Sequence, residues 1–326
     1  MSHRVLVTGA AGFVGMHVAL RHLEQGDEVV GHDNLNPYYQ VSLKQDRLRE
    51  LARYEKFRFV EGDLADRPAM ERLFEQGGFT HVQHMGAQAG VRYSIDAPHD
   101  YLQSNLAGFL NILEGCRRHK PRHLVFASSS SVYGDSKQLP YSESQNVDHP
   151  VSLYAATKKS NELMAHAYAH LYHIPITGLR FFTVYGPWGR PDMAVWKFTE
   201  AILTGKPLTL FANGELKRDF TYIDDVAQGV VSVAEQAPLT SASGAPYRIL
   251  NIGNHAPVVV NQVVALLEQL LGKPAIRVHA PHQMGDVEAT FADISAIEQL
   301  VGFKPATPIE EGLRRFVTWY QDYHTK

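Results

Sequence analysis

Tyr154 and Lys158 stand four residues apart in Ser152-Leu153-Tyr154-Ala155-Ala156-Thr157-Lys158, a spacing that stacks two side chains on one face of a helix. A phenol titrates near ~10 and is a poor base at neutral pH, but an ammonium held beside it favours the phenolate and makes a usable general base. The same pattern also occurs on ordinary helix faces, so its meaning depends on what accompanies it. At the N-terminus, Arg4-Val5-Leu6-Val7 runs into Thr8-Gly9-Ala10-Ala11-Gly12-Phe13-Val14-Gly15 and then into the periodic apolar residues Val18, Ala19, Leu20 and Leu23. That order is strand, glycine turn, helix. Gly9, Gly12 and Gly15 let the backbone turn tightly and approach a pyrophosphate seated on the helix N–H groups. A second run, Glu28 to His32, ends at Asp33, where a carboxylate can accept hydrogen bonds from an adenosine ribose and would repel a 2′-phosphate. The expected cofactor is therefore NAD rather than NADP.

Further blocks lie along nearly the whole chain: Asp33-Asn34-Leu35, Gly62-Asp63-Leu64, Ser128-Ser129-Ser130-Ser131-Val132-Tyr133-Gly134, Arg180 to Pro187 and Arg218 to Asp225. With the GxxGxxG spacing and Tyr154/Lys158, the chain resembles the extended, nucleotide-sugar branch of the short-chain dehydrogenase/reductase superfamily. Within that branch it is most similar to UDP-glucuronate 4-epimerases, through Asn34 to Tyr39 with Val41-Ser42-Leu43-Lys44, Ala87 to Ser94, and Trp188-Gly189-Arg190-Pro191-Asp192-Met193. Met85-Gly86 departs from the usual leucine-alanine beside the nicotinamide, and a packing change is expected there.

The resemblance implies a reversible epimerisation at carbon 4 of UDP-glucuronate to UDP-galacturonate, through a transient 4-keto sugar. In it Tyr154 is the base, Lys158 holds the nicotinamide ribose and keeps Tyr154 ionised, and Ser129 hydrogen-bonds the reacting oxygen. The cofactor would lie against Gly9, Gly12, Phe13, Val14 and Gly15, with Asp33, Asn34, Asp63 and Leu64 at one end and Gly86, Ser128 and Phe181 at the other. Arg190, whose planar fork suits a carboxylate, would grip the sugar acid with Thr183. Ser129 and Ser130 line the sugar, and Arg92, Lys197, Arg218 and Asp286 are candidates for the UDP end. A UDP-glucuronate decarboxylase is the nearest alternative, but it usually carries glutamate at the position of Ser131, and dehydratases carry an Asp-Glu pair at Ser130-Ser131. Another UDP-sugar 4-epimerase is a further alternative. An NAD-sensing regulator on the same fold would typically have lost the Tyr or the Lys.

These residues need a scaffold. Apolar strands over 4–7, 29–32, 57–60, 81–85, 123–127 and 176–181 alternate with helical stretches, which predicts an α/β, doubly wound parallel Rossmann sheet. Length, 326 residues, predicts two lobes: 1–180 for NAD, and 181–326 as a smaller mixed α/β UDP-sugar lobe, interleaved by a return strand near 249–253. Helices over 96–119 and 153–173 are long, and the resemblance implies that this pair forms a four-helix homodimer interface. With 31 Lys+Arg against 34 Asp+Glu and no basic block, no nucleic-acid partner is expected. Cys116 is the sole cysteine, so no internal disulfide can form and a cytoplasmic setting fits. The N-terminal apolar run is broken by glycines and followed by His17, Arg21, His22 and Glu24, which suits neither a signal peptide nor a membrane span. Plant members of the resembled family carry a membrane anchor, so the expectation is a soluble, bacterial-type protein. His166, His170 and His173 share a helix face without an acidic or cysteine partner, so no metal is expected. Tyr38-Tyr39 and Trp319-Tyr320 read as packing, and 240–246 as a surface loop.

Overall fold

Strands covered on both faces read as continuous apolar runs, and Val5-Leu6-Val7 and Leu124-Val125-Phe126 are fully buried. In the computed structural model, which describes residues 2–240, 244–282 and 287–325, they lie in β1 (Arg4–Thr8) and β5 (His123–Ser129). The other strands of the chain are β2 (Glu28–Asp33), β3 (Phe57–Glu61), β4 (His81–His84), β6 (Ile176–Phe181), β7 (Thr183–Tyr185), β8 (Pro207–Phe211), β9 (Lys217–Tyr222), β10 (Tyr247–Ile252), β11 (Pro257–Val259) and β12 (Ile276–Ala280). One seven-stranded sheet has the order β10-β6-β5-β4-β1-β2-β3, and every pair in it is parallel. Strand order reverses between β1 and β4, and ligands of open α/β sheets bind at the carboxyl ends of the strands at such a point.

Because side chains alternate across a strand, Leu6 faces one helical layer and Val5 and Val7 the other. The first layer is α3 (Arg67–Gly77), α6 (Gly108–His119) and α7 (Leu153–Tyr172), contributing Phe74, Phe109, Ile112 and Ala165. The second includes α1 (Phe13–Glu24) and α2 (Val41–Leu51), through Met16, Ala19 and Leu51, with α9 (Ile223–Ala234) packed beside α1. The smaller part holds a three-stranded sheet β11-β9-β7 and a two-stranded sheet β12-β8. Its helices are α8 (Ala194–Thr204), α10 (Val260–Leu271), α11 (Ser295–Val301) and α12 (Ile309–Thr325), and Trp196, Val263, Leu267 and Phe316 pack between them.

The expected helix over 96–119 is interrupted. Tyr93–Asp96 (α4) stops at Ala97, whose φ of −129° is extended, as befits the residue before Pro98. After Pro98–Tyr101 (α5), Leu102–Ala107 forms a π-turn before α6. Asn161 donates to the Asn105 carbonyl at 2.6 Å, while the Asn105 side chain holds the backbone of Gln88. An inserted side chain of this kind interrupts a helical ladder. α7 ends at Tyr172, one residue short of expectation, because His173 adopts φ 54°. The return strand begins at Tyr247, earlier than expected, and pairs with β6.

Candidate active site

β1 delivers the chain to Gly9, whose φ of 69° is left-handed and favours glycine. A Cβ there would sit 2.7 Å from the Gly86 Cα, so Met85-Gly86 packs directly on the turn. A Cβ on Gly15 would run into the Gly9 carbonyl. The α1 N-terminus starts at Gly12 with no side-chain cap and no acid in its first turn. Uncapped N–H groups and the helix dipole form an anion site. Together with the loop's closeness, this fits the pyrophosphate of NAD.

That loop is one wall of a cavity of about 460 Å³. At the end of β2, Asp33 accepts from the N–H groups of Ala11 at 3.2 Å and Leu35 at 2.9 Å. Lys44 Nζ lies 3.7 Å from the same carboxylate. Asn34 donates to Asp63 at 2.9 Å. Phe13, Val14, Leu64, Ser128 and Phe181 also line the cavity, although the Ser128 hydroxyl is spent on Glu162 at 2.6 Å.

Ser152 caps α7 by accepting from Ala155 N–H at 3.1 Å, and the helix then carries Tyr154 and Lys158 into the cavity. Their relation differs from expectation. Lys158 Nζ donates to the Ala127 carbonyl at 2.9 Å and lies 5.9 Å from the Tyr154 ring centroid, so it makes no direct bond to the phenol. Burial raises the Tyr154 pKa, and the groups that offset this are Ser129 and the Arg190 guanidinium. Burial also pulls Lys158 down to about 8. Ser129 donates to the Ser131 hydroxyl at 3.0 Å, and its oxygen accepts from Ser131 N–H at 3.1 Å.

Ser130, Thr183, Arg190 and Arg218 line the same cavity. Arg190 is engaged: its Nε and Nη2 donate to the two oxygens of Asp192 at 2.9 and 2.5 Å. Burial alone would lower the Arg190 pKa, and Asp192 more than offsets it. Two expected contacts are not brought here, and a third is not described. Arg92 is exposed and stacks on Phe211 at 4.6 Å. Lys197 is exposed on α8 and is absent from the cavity wall. Asp286 lies outside the described residues.

Sequence reasoning missed Lys44, Asp192 and Arg47, and took Tyr38 and Tyr39 for packing although both line the cavity. Arg47 is fully buried and donates to the carbonyls of Ala11 (2.9 Å), Trp188 (2.7 Å) and Gly189 (3.0 Å) and to the Tyr39 hydroxyl (2.6 Å). The signal available was Lys44 and Arg47 spaced for one helix face on the helix that follows β2.

Residues 5–253 match the model of the NAD dependent epimerase/dehydratase family. The chain belongs to that family. Among curated relatives of this family member, a probable UDP-glucuronate 4-epimerase of Rhizobium meliloti (strain 1021) is 46% identical over 98% of both chains. UDP-glucuronate 4-epimerase 1 of Arabidopsis thaliana is 50% identical over 98% of this chain and 77% of its own length. The crystal structure of a UDP-glucuronic acid 4-epimerase from Bacillus cereus, in complex with UDP-glucuronic acid and NAD, superposes with a TM-score of 0.90 at 33% identity, covering 98% of this chain and 99% of that one.

Proposed function

We propose that this chain is an NAD-dependent UDP-glucuronate 4-epimerase, interconverting UDP-glucuronate and UDP-galacturonate. The observation that carries this reading is one cavity that combines the Ser129/Tyr154/Lys158 set with an arginine, Arg190, and a hydroxyl, Thr183. A guanidinium and a hydroxyl there suit a carboxylate.

Tyr154, as phenolate, takes the proton from the sugar's 4-hydroxyl, and Ser129 donates to the same oxygen. Bound NAD+ supplies the reversible hydride acceptor that makes the oxidation transient. Arg190 is the cation that favours the Tyr154 phenolate, while Lys158, its Nζ 5.9 Å from the Tyr154 ring, holds the nicotinamide ribose. The 4-keto acid then turns over within the site, Tyr154 returns the proton, and configuration at carbon 4 inverts with no net redox. A β-keto acid loses carbon dioxide readily, and Ser131 places no acid beside it. Arg190 and Thr183 hold the carboxylate, and Arg218 serves the UDP end. The division of labour follows the chain: 1–180 with the return strand binds NAD, and 181–326 supplies most of the UDP-sugar contacts.

Leu110 on α6 and Leu163 and Leu171 on α7 are exposed, and this apolar surface supports a homodimer through those helices. No helix among the described residues is long and apolar enough to cross a membrane, and the lone Cys116 is buried, in keeping with a cytoplasmic enzyme. The test is to incubate the purified protein with UDP-glucuronate and resolve the products. UDP-galacturonate without pentose is the expected outcome; a UDP-pentose as main product assigns the decarboxylase, and no turnover rejects both.

A further inference from the structure

The sugar-acid arginine carries a carboxylate of its own. Asp192 fills the Nε–Nη2 edge of the Arg190 fork at 2.9 and 2.5 Å, which is the bidentate geometry an incoming uronate would take. Arg190 Nη2 also points at the Ala89 carbonyl at 3.5 Å. Tyr38 holds the acid in place, donating to its Oδ2 at 3.2 Å, and the guanidinium lies 6.0 Å above the Tyr38 ring. Tyr38 and Arg190 line the cavity, and Asp192 pairs with the guanidinium from just outside that lining. The side chains of Arg190 and Asp192 are 20% and 23% exposed.

We propose that Asp192 is an internal competitor for the substrate carboxylate, a specificity-determining residue that loosens the Arg190 grip so that the keto-sugar can turn over and leave. The inference rests on the functional reading above. An unpaired guanidinium in a partly buried wall would hold an anion tightly, and a tight hold opposes the ring rotation that epimerisation requires. With Asp192 on one edge, the substrate is left the Nη1 side, and a like charge nearby weakens its binding.

The test compares Asp192→Asn, which removes the charge and keeps a hydrogen-bond acceptor, with Asp192→Glu, which keeps the charge. Affinities are measured calorimetrically on NAD-loaded protein in a Tyr154→Phe background, where turnover does not interfere. Asp192→Asn should bind UDP-glucuronate about threefold tighter or more, the scale of removing one nearby like charge at a partly exposed site. UDP-glucose affinity should stay constant, and Asp192→Glu should resemble the parent. With Tyr154 intact, Asp192→Asn should lower KM and kcat together for UDP-glucuronate. Weaker UDP-glucuronate binding would make Asp192 only a brace for Arg190, and unchanged binding would show that it does not sense the carboxylate; either overturns the proposal. Should Asp192→Asn fail to bind UDP-glucose, and so report a damaged site, Asp192→Ser is put through the same comparison. A parent that does not epimerise UDP-glucuronate rejects the functional reading, whereas the role of Asp192 is judged on the two affinities alone.

Discussion

A buried phenol must lose its proton to act as a base, so each group that offsets burial around Tyr154 bears on the rate. Tyr154→Phe removes the ionisable oxygen and little contact area: the ring still meets Tyr101 edge-on at 6.0 Å. Turnover should fall by about 10²–10⁴, the range for a positioned acid–base group, while UDP-sugar affinity changes only a few-fold. Turnover within tenfold of the parent, read by product formation, would assign the proton to another group. Asp33 invites a second test at this scale, because Lys44 stands 3.7 Å from its carboxylate. Asp33→Asn keeps an acceptor for the adenosine ribose but discards the repulsion of a 2′-phosphate, and Lys44 then remains as an attracting cation. Titration of cofactor-free protein should therefore show the NADP-to-NAD affinity ratio rising by about tenfold, equivalent to one charged hydrogen bond of ~1.4 kcal/mol. An unmoved ratio would place the ribose elsewhere.

Between elements, Arg47 does what no single motif can do. From α2 it reaches the glycine loop at Ala11 and the turn at Trp188-Gly189, where Trp188 is held at φ 62°, so the cofactor loop and the arginine that follows are fixed to one another. Arg47→Met would fill much of the volume yet leave buried carbonyls unpaired, at about 1–3 kcal/mol for each orphaned group. The expected result is a lower unfolding midpoint together with weaker binding of both NAD and UDP-glucuronate; loss of only one would mean that the two loops are held independently. Such a residue is hard to read from sequence because its partners lie 36 and 141 positions away. Gly9, Gly12, Gly15, Tyr154 and Lys158 were legible because their geometry is local: a turn, and one face of one helix. The π-turn was not, since it depends on Asn161, 56 positions from Asn105. Arg92 and Lys197 failed for a related reason: charge in a motif does not say which way the backbone will aim it. Arg190 lines the cavity as expected, but its pairing with Asp192 two residues later was not expected.

Across the whole molecule, histidines are buried in both layers against the sheet and within it. His17 on α1 donates from Nδ1 to the Phe13 carbonyl at 2.9 Å, His84 meets Thr8 at 2.8 Å, and His123 bridges Ala234 and Thr177 at 2.9 and 2.8 Å. Burial lowers the pKa of His17 and His81 to about 4, and of His84 and His123 to about 3. The unfolded chain protonates these groups near ~6.5. Between that value and the folded ones the unfolded state binds more protons, so stability is full above pH ~6.5 and is lost as pH falls toward about 4, with a slope of about 1.4 kcal/mol per pH unit for each histidine that titrates only on unfolding. Ordinary carboxylates titrate below ~4.5, and burial pushes Asp219 and Glu143 upward, which works in the opposite direction, so the informative window is pH 6.5 to 5. Denaturant unfolding at fixed NAD concentration should show stability declining steeply through that window while the carboxylates remain charged in the unfolded chain. A flat profile there would mean that these rings gain protons inside the fold, and that the polar contacts holding them tolerate a charge the apolar core was expected to reject.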